Sequence, residues 1–266
     1  MPELPEVETV VRTLRPALAG RRIERASFTS KFVTPGDRAV LAKHVRGRTV
    51  RGIRRHGKFI LIELVSATGS SGTLSIHLGM TGRLLVNAPP TTHTYGVFVL
   101  DDGSKLHYDD PRQFGRIEWA PARVAKLGPD ALGIPLEDFL KALRARSSKI
   151  KPLLLNQNFV AGLGNIYVDE ALFRAGIRPL AIASRVSKQR AMDLHVAIQE
   201  LLTLAIAHGG SSISDYVDVE GRKGGFQNLH QVYGRAGEGC VRCGGPIKRI
   251  LVAQRGTHYC PRCQRG

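Results

Sequence analysis

Apolar residues in the first twenty positions recur every three or four: Val7, Val10, Val11, Leu14 and Leu18, with polar residues between them and Gly20 behind. That period lays one apolar stripe along an α-helix, and Pro5 suits its first turn, where a missing backbone N–H costs nothing. From about Arg21 to Trp119 the pattern changes to short runs rich in Val, Ile, Leu and aromatics: RTVRGIRR, KFILIEL, TLSIHL, GRLLV, YGVFVLDD and GRIEWA. Gly, Asn, Asp and Pro separate them, and DDGS at 101–104 reads as a hairpin turn. Many short strands without helices between them predict an antiparallel sandwich or barrel.

Around LGPDALGIPLED (127–138) the pattern breaks at a Pro- and Gly-rich linker, and helical periods follow. Helices are expected over 136–146, 149–155 and 165–175, with the longest over 187–208 before a Gly-Gly pair. His195, on that longest helix, reads as a surface or satisfied helix residue and not as a ligand. The last stretch, from Tyr233, is glycine-rich and holds all four cysteines. The expected division is 1–132, 133–232 and 233–266, an α+β multidomain chain.

Charge sharpens this picture. Among 266 residues, 39 Lys and Arg stand against 22 Asp and Glu, a net +17. RGRTVRGIRRHGK (46–58) and KALRARSSKIK (141–151) contain no acid. Such blocks fit a polyanion, because each neutralised phosphate releases counterions. No run of 18 apolar residues and no signal-peptide pattern occurs, so no membrane association is expected and the location expected is cytoplasmic or nucleoid.

The spacing Cys240-x2-Cys243-x16-Cys260-x2-Cys263 supplies four thiolates to one tetrahedral ion, with a pair of disulfides as the alternative. A site filled by four sulfurs is closed, so the zinc it implies is structural, with no catalytic metal or organic cofactor. The start, MPELPEVE, has two readings. Glu6 and Glu8 can serve only the positive end of the helix, or removal of Met1 can leave Pro2 as a reactive secondary amine beside Glu3. Asn165 in GLGN reads as a helix cap, either ordinary or facing a phosphate, with Lys151 and its basic block favouring backbone contact. DDPRQFG places Arg112 and Phe114 on a turn, and HLGMTG places Met80 on another; such side chains either pack or wedge into a base stack.

Taken together, MPELPEVE, RRHGKF, HLGMTGRL, DPRQFG, NQNFVAGLGNIYVDEALF, GGFQNLHQVYGR and CVRC…GTHYCPRC closely resemble the formamidopyrimidine-DNA glycosylase family, in the family's order from Met1 to Gln264. The resemblance implies an N-terminal antiparallel β-sandwich with flanking helices, then a helical domain with a helix-two-turn-helix, then a zinc finger, with DNA bound between the domains. It implies an enzyme that excises 8-oxoguanine and formamidopyrimidines from double-stranded DNA carrying oxidised bases or abasic sites, and cleaves the strand by β,δ-elimination; a basic cleft enzyme of this size is expected to act as a monomer. Pro2 is then the nucleophile, Glu3 the general acid/base, Lys58 a phosphate and lesion contact and Glu6 a supporting carboxylate. Met80, Arg112 and Phe114 fill the void of the everted base. Asn165 and Arg255 contact DNA, joined by Lys151 on the ground of its basic block, and Tyr216, Arg222 and Lys223 belong to a lesion-covering loop over 214–227. Gln113 departs from the family, which often has a second arginine there. Two alternatives stay open: an endonuclease VIII-like preference for oxidised pyrimidines, and a DNA-binding protein without catalysis.

Overall fold

The computed structural model describes residues 1–213 and 216–265. The chain forms two compact units: 1–126 with 208–225, and 127–207 with 226–266.

The first unit opens with α1 (Leu4–Leu18), whose Leu4, Val7, Val10, Val11, Leu14 and Leu18 are buried, as the apolar period requires. Two four-stranded antiparallel sheets follow. One has the order β1-β6-β7-β5, from Ile23–Phe28, Thr94–Leu100, Lys105–Asp109 and Arg83–Val86. The other has the order β2-β3-β4-β8, from Thr49–His56, Phe59–Val65, Ser71–His77 and Arg116–Trp119. Both sheets and α1 feed one apolar core that includes Val11, Ile60, Leu74, Phe98 and Ile117. Residues 101–104 make the expected hairpin, with Gly103 at φ +83.

Three elements lie outside the motif-based expectation. The helix α2 (Arg38–Val45) is capped by Asp37, whose carboxylate accepts the N–H groups of Ala39 and Val40. The strands β1 and β7 each carry charged residues, and their long-range partners set them.

The second unit contains α3 (Leu136–Arg144), α4 (Ile150–Leu155), α5 (Asn165–Arg174) and α6 (Lys188–Ala207). Helix α5 buries Tyr167, Val168, Leu172 and Phe173 completely and packs on α6. His195 meets the Ile134 carbonyl at 2.8 Å. The unit ends in the hairpin of β9 (Lys248–Val252) and β10 (Arg255–Tyr259).

The segment expected in the helical domain just after α6 packs elsewhere. Residues 208–225 join the first unit: Val86 N–H donates to the Val219 carbonyl at 3.1 Å, and Tyr216 and Val219 enter the sandwich core.

Candidate functional site

The start of α1 gathers buried charge. Glu3 and Glu6 are only 3% and 2% exposed, and Pro2 is buried ahead of them. Glu3 N–H donates to Glu6 Oε2 at 2.7 Å, so the second carboxylate serves the helix end as a capping group. Its other oxygen, Oε1, accepts the Ser211 N–H at 2.7 Å. Tyr216 Oη donates to the Glu6 carbonyl at 3.2 Å, and burial with the Glu6 charge raises the phenol pKa. Tyr216 is therefore anchored on α1 and not presented by an open loop.

Lys58, also buried, lies in the turn between β2 and β3. Arg55 ties that turn to α1: Nε meets Glu8 Oε2 at 3.0 Å and Nη1 donates to the Gly57 carbonyl at 3.0 Å. His77 on β4 stands within the field of Lys58. Burial first and the Lys58 charge second hold its imidazole down at about 4, so it is neutral at pH 7. The sequence offers His77 only as the first letter of HLGM, with no sign of what surrounds it.

Met80, Arg112 and Phe114 are exposed on two turns, and the Arg112 guanidinium lies 4.8 Å from the centre of the Phe114 ring. Gln113 between them has φ +53 and accepts the Ser30 hydroxyl at 2.5 Å. Arg222 and Lys223 are exposed, and Arg222 Nε pairs with Asp218 at 2.9 Å. Ser214 and Asp215, at the start of the expected lesion loop, lie outside the described residues.

In the second unit two expectations need correction. Lys151 is not a surface cation: its side chain is 0% exposed and Nζ meets Asp169 Oδ1 at 2.6 Å. A buried ammonium persists only when paired, and here the pair is complete, so Lys151 has no face for a phosphate. Nor does Asn165 cap α5. Gly164 holds that position, and Asn165, the first helical residue, donates Nδ2 to the Gly256 carbonyl at 2.9 Å. Lys151 Nζ reaches the same carbonyl at 3.3 Å, and Asp169 Oδ2 accepts the His258 N–H at 2.8 Å. Both helices thus grip β10 beside the exposed Arg255. The hairpin tip itself places two non-glycine residues, Ala253 and Gln254, at φ +48 and +60.

Asp169 and Glu170 were missed, although two acids inside the apolar run of IYVDEALF are a legible signal. Glu170 is fully buried and accepts the backbone N–H groups of Gln231, Val232 and Tyr233 at 2.8–3.0 Å. Burial raises its pKa against the lowering effect of those donors.

The four cysteine sulfurs lie within 4.8 Å of one another, with Cys240–Cys263 at 3.8 Å and Cys243–Cys260 at 3.5 Å. A tetrahedral zinc with bonds of about 2.3 Å needs sulfurs about 3.8 Å apart, which this cluster meets. One structural zinc held by Cys240, Cys243, Cys260 and Cys263 fits the donor set.

A two-sheet unit followed by a helical unit that ends in a four-cysteine zinc site defines a zinc-bearing helix-two-turn-helix protein. Family comparison agrees: residues 1–117 match the formamidopyrimidine-DNA glycosylase N-terminal domain, 127–217 its H2TH domain, and 237–266 a zinc finger found in FPG and IleRS. The chain belongs to the formamidopyrimidine-DNA glycosylase family. It is 53% identical to the Solibacter usitatus formamidopyrimidine-DNA glycosylase over the full length of both chains. Among solved structures it is similar to MutM (FPG) of Thermus thermophilus, with a TM-score of 0.88 at 38% identity, covering 99% of this chain and 98% of that one. It is also similar to a Lactococcus lactis FPG mutant in complex with Fapy-dG-containing DNA, with a TM-score of 0.90 at 39% identity over 100% of each chain. A further Lactococcus lactis Fpg structure, with an abasic site in its DNA, aligns at a TM-score of 0.89 and 38% identity, covering 99% of this chain and 100% of that one.

Proposed function

We propose that the protein is a bifunctional DNA glycosylase and abasic-site lyase of base excision repair, acting as a monomer on oxidised purines in duplex DNA. The observation that carries this reading is the buried start of α1, where Pro2 precedes two buried carboxylates, Glu3 and Glu6. Family membership supports the same chemistry.

Removal of Met1 frees the Pro2 nitrogen, which attacks C1′ of the damaged nucleotide while the bond to the base breaks and the base leaves with a proton. Glu3 protonates the sugar ring oxygen as the ring opens, leaving an iminium between Pro2 and C1′. Because a secondary amine gives an iminium with no N–H to lose, the cation persists and acidifies C2′. Loss of a C2′ proton expels the 3′-phosphate, and a second elimination expels the 5′-phosphate. Glu6, occupied with the helix end and Ser211, holds Glu3 in place; Lys58 contacts phosphate and lesion. Met80, Arg112 and Phe114 fill the vacated stack, with Arg112 on the opposite cytosine, because extrusion of a base costs a few kcal/mol. Asn165 and Arg255 meet the backbone, and Tyr216, Arg222 and Lys223 border the lesion. The zinc, bound by four sulfurs, supplies folding energy to the segment that carries Arg255.

Borohydride trapping on an 8-oxoguanine:cytosine duplex tests the reading, using protein whose N-terminus has been checked by mass spectrometry. An adduct mapping to Pro2, lost in Pro2→Gly and reduced in Glu3→Gln, is expected. Absence of an adduct from Met-free protein would sink the mechanism.

A further inference from the structure

The turns bearing Met80 and Arg112 are about thirty residues apart in sequence, yet they share one buried carboxylate. Asp110 is 0% exposed. Its Oδ1 accepts the Thr81 hydroxyl at 2.6 Å, and its Oδ2 accepts the Gly115 N–H at 2.8 Å and the Tyr108 hydroxyl at 3.3 Å. Thr81 Oγ1 in turn accepts the Arg112 N–H at 3.2 Å. One hydroxyl therefore stands between the residue after Met80 and the backbone of Arg112.

The contact is too close for any side chain. A Cβ on Gly79 would come within 2.5 Å of the Phe114 carbonyl carbon and the Gly115 nitrogen, and one on Gly115 within 1.6 Å of Tyr108 Oη. Around this buried joint the three tips stay exposed: Met80 at 38%, Phe114 at 52%, and Arg112 beside them. Two separate turns would each have to be ordered on binding, at a cost in conformational entropy for every residue fixed. Joined turns have met that cost during folding.

We propose that Thr81 and Asp110 are positioning residues that lock the two turns into one wedge and so set how strictly the base opposite the lesion is read. This rests on the proposal that Met80, Arg112 and Phe114 enter the stack. Arg112 can discriminate the opposite base only if its backbone is fixed relative to that base, and the Thr81 hydroxyl is what holds its N–H. A lesion-free abasic site needs less of this precision, because no base remains to be everted.

The test compares Thr81→Val, Thr81→Ser, Asp110→Asn and Arg112→Ala with the unchanged protein. Each is assayed on duplexes with 8-oxoguanine opposite cytosine, with 8-oxoguanine opposite adenine, and with a preformed abasic site opposite cytosine. In Thr81→Val, excision opposite cytosine is expected to slow on the order of tenfold, the scale of a small misplacement of a positioned group. The cytosine-over-adenine preference should shrink about fivefold, a fraction of what one good base contact is worth. Abasic-site cleavage should stay within about twofold, and Thr81→Ser, which restores the hydroxyl, should recover both losses. Asp110→Asn should follow Thr81→Val.

If Thr81→Val and Asp110→Asn keep the preference while Arg112→Ala loses it, the wedge reading stands and the proposed lock is wrong. Equal slowing of all three substrates by Thr81→Val, with a lowered melting temperature, would reduce the joint to ordinary packing. If Arg112→Ala leaves the preference unchanged, the wedge reading itself fails and takes the lock with it.

Discussion

The tips that carry Arg112 and Arg255 each present an exposed cation at a turn, the first where the chain passes from one sheet to the other and the second in a two-stranded hairpin, but they are held by opposite means. The Arg112 turn stands on a sandwich with a large apolar core, and its polar joint at Asp110 only refines a position that the core already supports. The Arg255 hairpin has a small core, in which Phe173, Val232 and Ile247 pack against Cys240 and Cys260. Its rigidity has to come from metal–sulfur bonds and from the buried Lys151–Asp169 pair. Where apolar area is plentiful, polar groups can be reserved for specificity; where it is scarce, they must carry the fold.

Zinc removal should separate the two regions most sharply. Stripping the metal withdraws on the order of 10 kcal/mol from the cysteine-rich segment. Amides of Lys248–Val252 and Arg255–Tyr259 should then exchange at the rate of open chain, while those of Phe59–Val65 keep their protection. Full protection of the hairpin without zinc would refute the division.

Next in size is Lys151→Met, which takes the ammonium partner from the buried Asp169 carboxylate while leaving its contact with the His258 N–H. A loss of about 3–5 kcal/mol in urea melts is expected, with most of it recovered when Asp169→Leu is added. A loss under about 1 kcal/mol would mean that the pair contributes as little as an exposed one.

Acidification sharpens the comparison, because each unit holds an imidazole kept neutral by burial. His77 and His230 are both held down from 6.5 to about 4, His77 by burial and then by Lys58, His230 by burial alone. The unfolded chain therefore binds more protons between these values, and stability must fall as pH drops from about 6.5 towards 4. The second unit should fall further, since protonated cysteines also release the metal. Site-resolved exchange at pH 7 and pH 5 reads both losses; equal losses would remove the metal's part.

The smallest effect expected is that of Arg255→Ala. It should weaken binding to every duplex alike and lower the salt-dependence slope by about one, as the loss of one phosphate contact does. A change confined to one sequence would mark Arg255 as a base reader.

How much of this could be read from the sequence depended on the range of the interactions. The apolar period of α1, the paired cysteine spacing and the turn motifs around Met80 and Phe114 are local, and each was legible. Lys151 was misread because the residue that buries it, Asp169, lies 18 positions away on another helix, and a basic block gives no sign of that partner. Helix α2 is short and has only two buried residues, so no stripe announced it; the Asp37 cap was the sole clue. Tyr216 looked like a loop residue because its anchor is the carbonyl of Glu6, 210 positions earlier. The Thr81–Asp110 joint escaped notice for the same reason, although both residues sit in quoted motifs.

The Glu6 carboxylate spans nearly as great a separation, 205 positions, with one oxygen on the Glu3 N–H and the other on the Ser211 N–H. A single rigid triangle of atoms thus acts as a yoke between the head of α1 and the segment that returns from α6. Whatever free energy couples the seating of that segment to the seating of Glu3 acts equally in both directions. No separate messenger is then needed between the far end of the chain's return and its first helix.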